Sequence, residues 1–166
     1  MNIPHKNRLT IALVPLLLLA GCAGSGFRKH QPLAEPMQIE AGSILTLTAP
    51  LTFPPGAAAI YLQDNHIVGA NAIVQSYPYC TLVAPRLPAA GTIEPGAYAV
   101  ENVEYDDKAI GASGNISSVT RIRLVANAEF PYNLNCQWPD GGGQGFLTSE
   151  EIQGVIGDLF NMALQR

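Results

Sequence analysis

Ser118-Val119-Thr120-Arg121-Ile122-Arg123-Leu124-Val125 is the stretch on which the fold turns. Thr120, Ile122 and Leu124 alternate with Val119, Arg121, Arg123 and Val125. A period of two is the repeat of a β-strand, whose side chains point to opposite faces in turn. The Thr-Ile-Leu face is expected to be buried and the arginine face at least partly wet. Two arginines at alternate positions also resemble an anion-binding row, but a solvated strand face is the plainer account.

Further strands flank this one. Ile44–Thr48 is β-prone and closed by Pro50. Ala58–Gln63 stops at Asp64-Asn65, a turn-forming pair, and Ile67-Val68 resumes beyond it, which predicts a hairpin. Ile73-Val74 is ambiguous. Tyr79–Val83 carries Cys80 and is ended by Pro85 and Pro88. Tyr98–Tyr105 follows the turn signal Pro95-Gly96, with Tyr98, Val100 and Asn102 assigned to one face. Asp106-Asp107 reads as a turn and Gly111–Ser117 as a Gly-rich loop. Tyr132–Trp138 is the last strand and carries Cys136.

The end of the chain changes period. Thr148 as N-cap with Glu151 three residues on makes a capping box, and Leu147 with Ile152 makes the hydrophobic staple. Glu150 and Glu151 place negative charge at the positive end of a helix dipole. Ile152, Val155, Ile156, Leu159, Phe160 and Ala163 follow at helical spacing, predicting a helix over about 148–164. Gly154 and Gly157 each weaken a helix by about 1 kcal/mol relative to Ala, and close approach to the sheet is the expected reason for them. Only one long helical pattern exists and it comes last, which argues against a crossover βαβ fold. The expected class is mainly β with a C-terminal helix: a small antiparallel sheet or partly open barrel, spanning 41–166 as one domain.

The amino-terminal end carries a different kind of signal. Lys6 and Arg8 precede the apolar run Leu9–Leu19, which ends in Leu19-Ala20-Gly21-Cys22. That order is a charged region, a short apolar region and a small-residue cleavage site. The run is short of the about 20 residues that cross a membrane. The last four residues match the lipobox of bacterial lipoproteins. The resemblance implies that residues 1–21 are a signal peptide, that the Cys22 thiol is acylated, and that the protein is held on a membrane by this lipid. Ala23, where an Asp would retain such a protein in the inner membrane, implies the outer membrane, with the inner membrane as alternative. Residues 22–40, with Gly24, Gly26, Pro32 and Pro36, read as a tether that holds the domain in the periplasm.

Exported cysteines meet an oxidising compartment, so Cys80 and Cys136 are expected to form a disulfide. Closing their 57-residue loop is worth about 4 kcal/mol on the chain-entropy model. Without residues 1–21 the chain keeps all 13 acidic residues but only 7 of its 9 Lys and Arg, so its side chains sum to −6. No basic patch exists, which excludes nucleic acid as a natural partner.

Signals for chemistry are few. Asp140, Gly145, Thr148 and Glu151 resemble positions 1, 6, 9 and 12 of an EF-hand calcium loop. Positions 3 and 5 are Gly142 and Gln144, Pro139 argues against an entering helix, and Glu151 is needed for the capping box. The loop is therefore read as a loop, with no metal and no cofactor. No Gly-x-Ser-x-Gly elbow occurs. His30 lies in the tether and His66 beside a turn. Glu101, Glu104, Asp106 and Asp107 read as a solvated rim, and no catalytic residue is assigned. Tyr77, Tyr79, Tyr98, Tyr105, Tyr132 and Trp138 suit either a small core or a contact surface, because each joins an apolar body to a polar tip. The expected function is non-enzymatic: an accessory or assembly factor that binds another envelope protein. The alternative is a periplasmic ligand-binding or lysozyme-type inhibitor module.

Overall fold

The computed structural model describes residues 38–85, 91–110, 115–126, 131–139 and 145–165. Cys22, the tether up to residue 37 and Asp140, Gly142 and Gln144 lie outside these residues. The strands are β1 (Ile44–Leu47), β2 (Leu51–Thr52), β3 (Ala59–Gln63), β4 (His66–Val68), β5 (Tyr79–Val83), β6 (Thr92–Ile93), β7 (Gly96–Ile110), β8 (Asn115–Val125) and β9 (Tyr132–Gln137). Among the described residues there follow one α-helix, α1 (Ser149–Ile156), and a last strand, β10 (Phe160–Ala163). Eight strands form an antiparallel sheet in the order β10-β1-β7-β8-β9-β5-β3-β4, and β2 pairs with β6 in a separate ribbon. The sheet forms a half-barrel, as the strand pattern and the lone helix implied.

Two blocks of the sheet are local. β3 and β4 form the expected hairpin about Asp64-Asn65, whose φ angles of 49° and 61° are the positive pair that a type I′ turn requires. β7, β8 and β9 form a meander. The seam between the blocks is β5–β9, where Cys80 lies opposite Cys136 and the two are joined by a disulfide with Cα atoms 4.0 Å apart. Both half-cystines face the core. There Leu45, Leu47, Ile60, Leu62, Leu82, Ile122, Leu124 and Leu134 from the sheet meet Ile152, Val155 and Ile156 of α1. In the strand Ser118–Val125 the face of Thr120, Ile122 and Leu124 is sealed and Arg123 is exposed, while Val119 at the start of the arginine face is buried.

Several boundaries differ from the sequence reading. Asp106-Asp107 is no turn, because β7 and β8 continue pairing to Ile110 and Asn115. The acids are matched across the ladder: the Ser118 hydroxyl donates to Asp107 at 2.7 Å, and Arg121 pairs with Asp106 at 2.6 Å. Such cross-strand partners outweigh the low strand propensity of Asp. Asn102 does not share a face with Val100. The register shifts between them, leaving Glu101 as a bulge residue, and a bulge moves every later residue to the opposite face. The folded part also begins before residue 41, since Ile39 is buried in the core.

The helix begins as its punctuation demands, with Thr148 and Glu151 making both bonds of the capping box. It ends at Ile156 and does not reach 164. Gly157 has φ 49° and ψ −133°, a conformation that favours glycine and cannot continue a helix. The Gln153 amide nitrogen donates to the carbonyls of Gly157 and Phe160, which ties α1 to the turn and strand that follow it. A 3-10 turn, Gly157–Leu159, then leads into β10, which pairs with β1. Phe160 is therefore buried from a strand, and Ala163 is exposed. Gly154 permits no close approach to the sheet either, because a Cβ built there meets open space.

Candidate functional site

Two surfaces stand out, and they arise from different parts of the ladder. The first is the outward face of the central strands. Register aligns Thr81, Asn135, Arg121 and Glu104 in one row across β5, β9, β8 and β7. Val83, Asn133, Arg123 and Asn102 form the next. All of these except Thr81 line a depression of about 480 Å³. The charges in it are balanced locally: Arg121 pairs with Asp106 and Arg123 with Glu101. The Asn102 amide donates to Glu104 at 3.1 Å. The side-chain oxygen of Asn135 is buried and accepts no hydrogen bond among the described residues.

The second surface is the corner at β4, whose outer edge pairs with no strand among the described residues. Ile67 pairs with Leu62, so both sit on the inward face. Leu62 is sealed, whereas Ile67 is 52% exposed because β4 is the last strand and the core ends there. The β4–β5 connection that follows is pinned by Gln63. Its amide nitrogen donates to the carbonyls of Val74 and Tyr77, both at 3.0 Å, and its oxygen accepts the Val74 N–H at 2.8 Å. Val74 and Tyr77 are thereby held outward, 50% and 60% exposed. Tyr77 also borders a groove of about 210 Å³ whose other walls are Asp64, Pro78, Glu151, Gly154 and Val155.

The aromatic residues divide accordingly. Tyr98 and Tyr132 meet edge to face in the core, 5.8 Å between centroids. Burial raises both phenol pKa values above their ordinary value; for Tyr98 the Tyr132 phenol and Glu94 add to the effect. Tyr105 stacks edge-on against Phe146, and burial followed by Glu40 raises its pKa. Tyr79 bonds Gln137, and Trp138 packs against the core. Only Tyr77 and Tyr105 of the six are exposed.

The rim acids Glu101, Glu104, Asp106 and Asp107 each have a partner on a neighbouring residue or strand. His66 is exposed and bonds the Asp64 carbonyl. Among the described residues no group of three or more His, Cys, Asp and Glu is arranged to hold a metal. Gly145 has φ 79°, and the carboxylate of Glu151 accepts the Thr148 N–H at 2.8 Å.

Sequence reasoning found the two arginines but missed Asn133 and Asn135. Their signal is the same period of two, Asn alternating with Tyr132, Leu134 and Cys136. It becomes a site only when register places those amides beside the arginines.

No family model, no curated protein and no solved structure matches the chain. Geometry alone defines its class: a disulfide-stapled antiparallel half-barrel with a C-terminal helix packed against it.

Proposed function

We propose that this protein is a non-enzymatic lipoprotein, anchored through Cys22 in a bacterial outer membrane, whose periplasmic domain binds another envelope protein at the β4 corner. The observation that carries the reading is that β4 is the last strand of the sheet among the described residues, and that it and the connection after it carry three exposed large apolar side chains, Ile67, Val74 and Tyr77. An edge strand offers free backbone donors and acceptors, and natural edges are usually protected by charge. Here the central residue of β4 is an isoleucine. A partner that adds an extended segment to β4 satisfies that edge and places an apolar side chain beside Ile67.

Photocrosslinking groups at positions 67 and 77, in cells with the anchor intact, test the reading. Both should capture one and the same envelope protein, while a group at Glu94 should not. Ile67→Lys should abolish the capture made from position 77. Absence of a shared product from 67 and 77 removes the partner assignment. Palmitate labelling that survives Cys22→Ala removes the anchor.

The groove beside Tyr77 favours a second reading, since Asp64 and Glu151 give it an acidic rim. A soluble basic enzyme of the lysozyme type suits such a rim. Titration with a basic lysozyme at low and high salt separates the two readings.

A further inference from the structure

We infer that the outward face of β5, β9, β8 and β7 is a separate binding site for an uncharged, hydroxyl-rich ligand, a short neutral oligosaccharide. β8 and β9 lie in the middle of the eight-stranded sheet, so neither has an edge to offer, and whatever they bind is bound by side chains. Those side chains are planar hydrogen-bonding groups in two rows: Asn135, Arg121 and Glu104, then Asn133, Arg123 and Asn102. Neighbouring groups in a row are separated by the strand spacing of about 4.8 Å, and the rows by about 7 Å along the strand. The depression between them holds about 480 Å³.

Charge selects the ligand. Arg121 and Arg123 are each neutralised by a carboxylate, Asp106 and Glu101, and Glu104 adds a further negative charge. An anion therefore gains little here. Each guanidinium has five N–H donors and gives one of its nitrogens to its carboxylate, so donors remain for a neutral acceptor. Asn133 and Asn135 offer both donors and acceptors. Among the described residues Val83 is the one apolar residue lining the depression, so an apolar ligand or the side chains of a peptide gain little there. Hydroxyl groups, which donate and accept at once, match this mixture.

The buried oxygen of Asn135 points the same way. A buried acceptor without a donor costs about 1–3 kcal/mol, and this one lies in the wall of the depression. A ligand that turns the Asn135 amide outward, or that shifts Arg121 toward it, supplies the missing donor.

Full-length protein in a detergent without a sugar head group provides the test, by calorimetric titration. The probes are chitotetraose in its N-acetylated form, maltotetraose, and tetragalacturonate as the anionic counterpart. At least one neutral probe should bind with submillimolar Kd, and its affinity should be unchanged from low to high salt, because no net charge is neutralised. Asn133→Ala and Arg123→Ala should each weaken it about tenfold or more, the loss of one good hydrogen bond. Arg123→Lys should not restore it, since an ammonium lacks the planar pair of donors. Arg123 is half exposed, so its replacement leaves folding intact, and an unchanged melting temperature checks this. The inference is overturned if neither neutral probe binds, if tetragalacturonate binds more tightly with a steep salt dependence, or if both variants bind like the parent protein.

Discussion

Asn65 and Asp158 join the β3–β4 turn to the chain just past α1. The Asp158 N–H donates to the Asn65 side-chain oxygen at 2.7 Å, while the Asn65 N–H donates to the Val155 carbonyl at 3.0 Å. Thr48 holds the same segment from the other side, its hydroxyl donating to the Asp158 carbonyl at 2.6 Å. Thr48 follows β1 and Asn65 precedes β4, so the Gly157–Leu159 turn links the region of one sheet edge to that of the other.

The two glycines of this region should therefore respond in opposite directions. Gly157→Ala places a Cβ on the Asn65 side chain and forces a backbone that non-glycine residues avoid. It should cost at least about 2 kcal/mol. Gly154→Ala meets open space in a helix interior and should stabilise by about 1 kcal/mol. Denaturant midpoints of the two variants check both signs, and equal shifts would refute the account.

The Cys80–Cys136 bond crosses the seam between the two locally formed blocks. Replacing both residues by Ala should lower stability by up to about 4 kcal/mol. Hydrogen exchange should then quicken first along β5 and β9. Non-reducing electrophoresis of the parent should give a faster band than the reduced sample.

Thr120 faces the core opposite Cys136, and its hydroxyl has no hydrogen-bond partner among the described residues. Thr120→Val removes an unsatisfied polar atom with little change of shape. It should raise the unfolding free energy by about 1 kcal/mol. Destabilisation would mean that the hydroxyl is satisfied.

Alkaline pH should unfold the domain through its buried tyrosines. The folded pKa values of Tyr98 and Tyr132 lie above the unfolded value near 10. The unfolded chain thus loses its phenol protons first, and stability falls as pH rises past about 10. Below that pH these groups leave stability unchanged. Phenolate absorbance from the core pair should appear together with unfolding, and Tyr132→Phe should flatten the decline. Full titration of all tyrosines in the native fold would contradict their burial.

What could be read from the chain alone was local. Thr148 and Glu151 specify a helix start because both bonds of the cap lie within one turn. Asp64-Asn65 specifies a hairpin because two residues set the twist. The alternation of residues 118–125 assigns two faces of one strand. Cys80 and Cys136 were legible as a pair because no other cysteine lies beyond Cys22.

Tertiary structure decided the rest. Phe160–Ala163 satisfies a helical period and a strand period alike, and pairing with β1 chose the strand. Asp106 and Asp107 became strand residues because Arg121 reaches Asp106 diagonally across the ladder and Ser118 stands opposite Asp107. The bulge at Glu101 changed the face of Asn102. Arg121 and Asn135 form a site only through the register of β8 on β9. Caps and turns act over a few residues, whereas register is a bond between segments far apart in the chain, and its choice depends on how all the inward faces pack together.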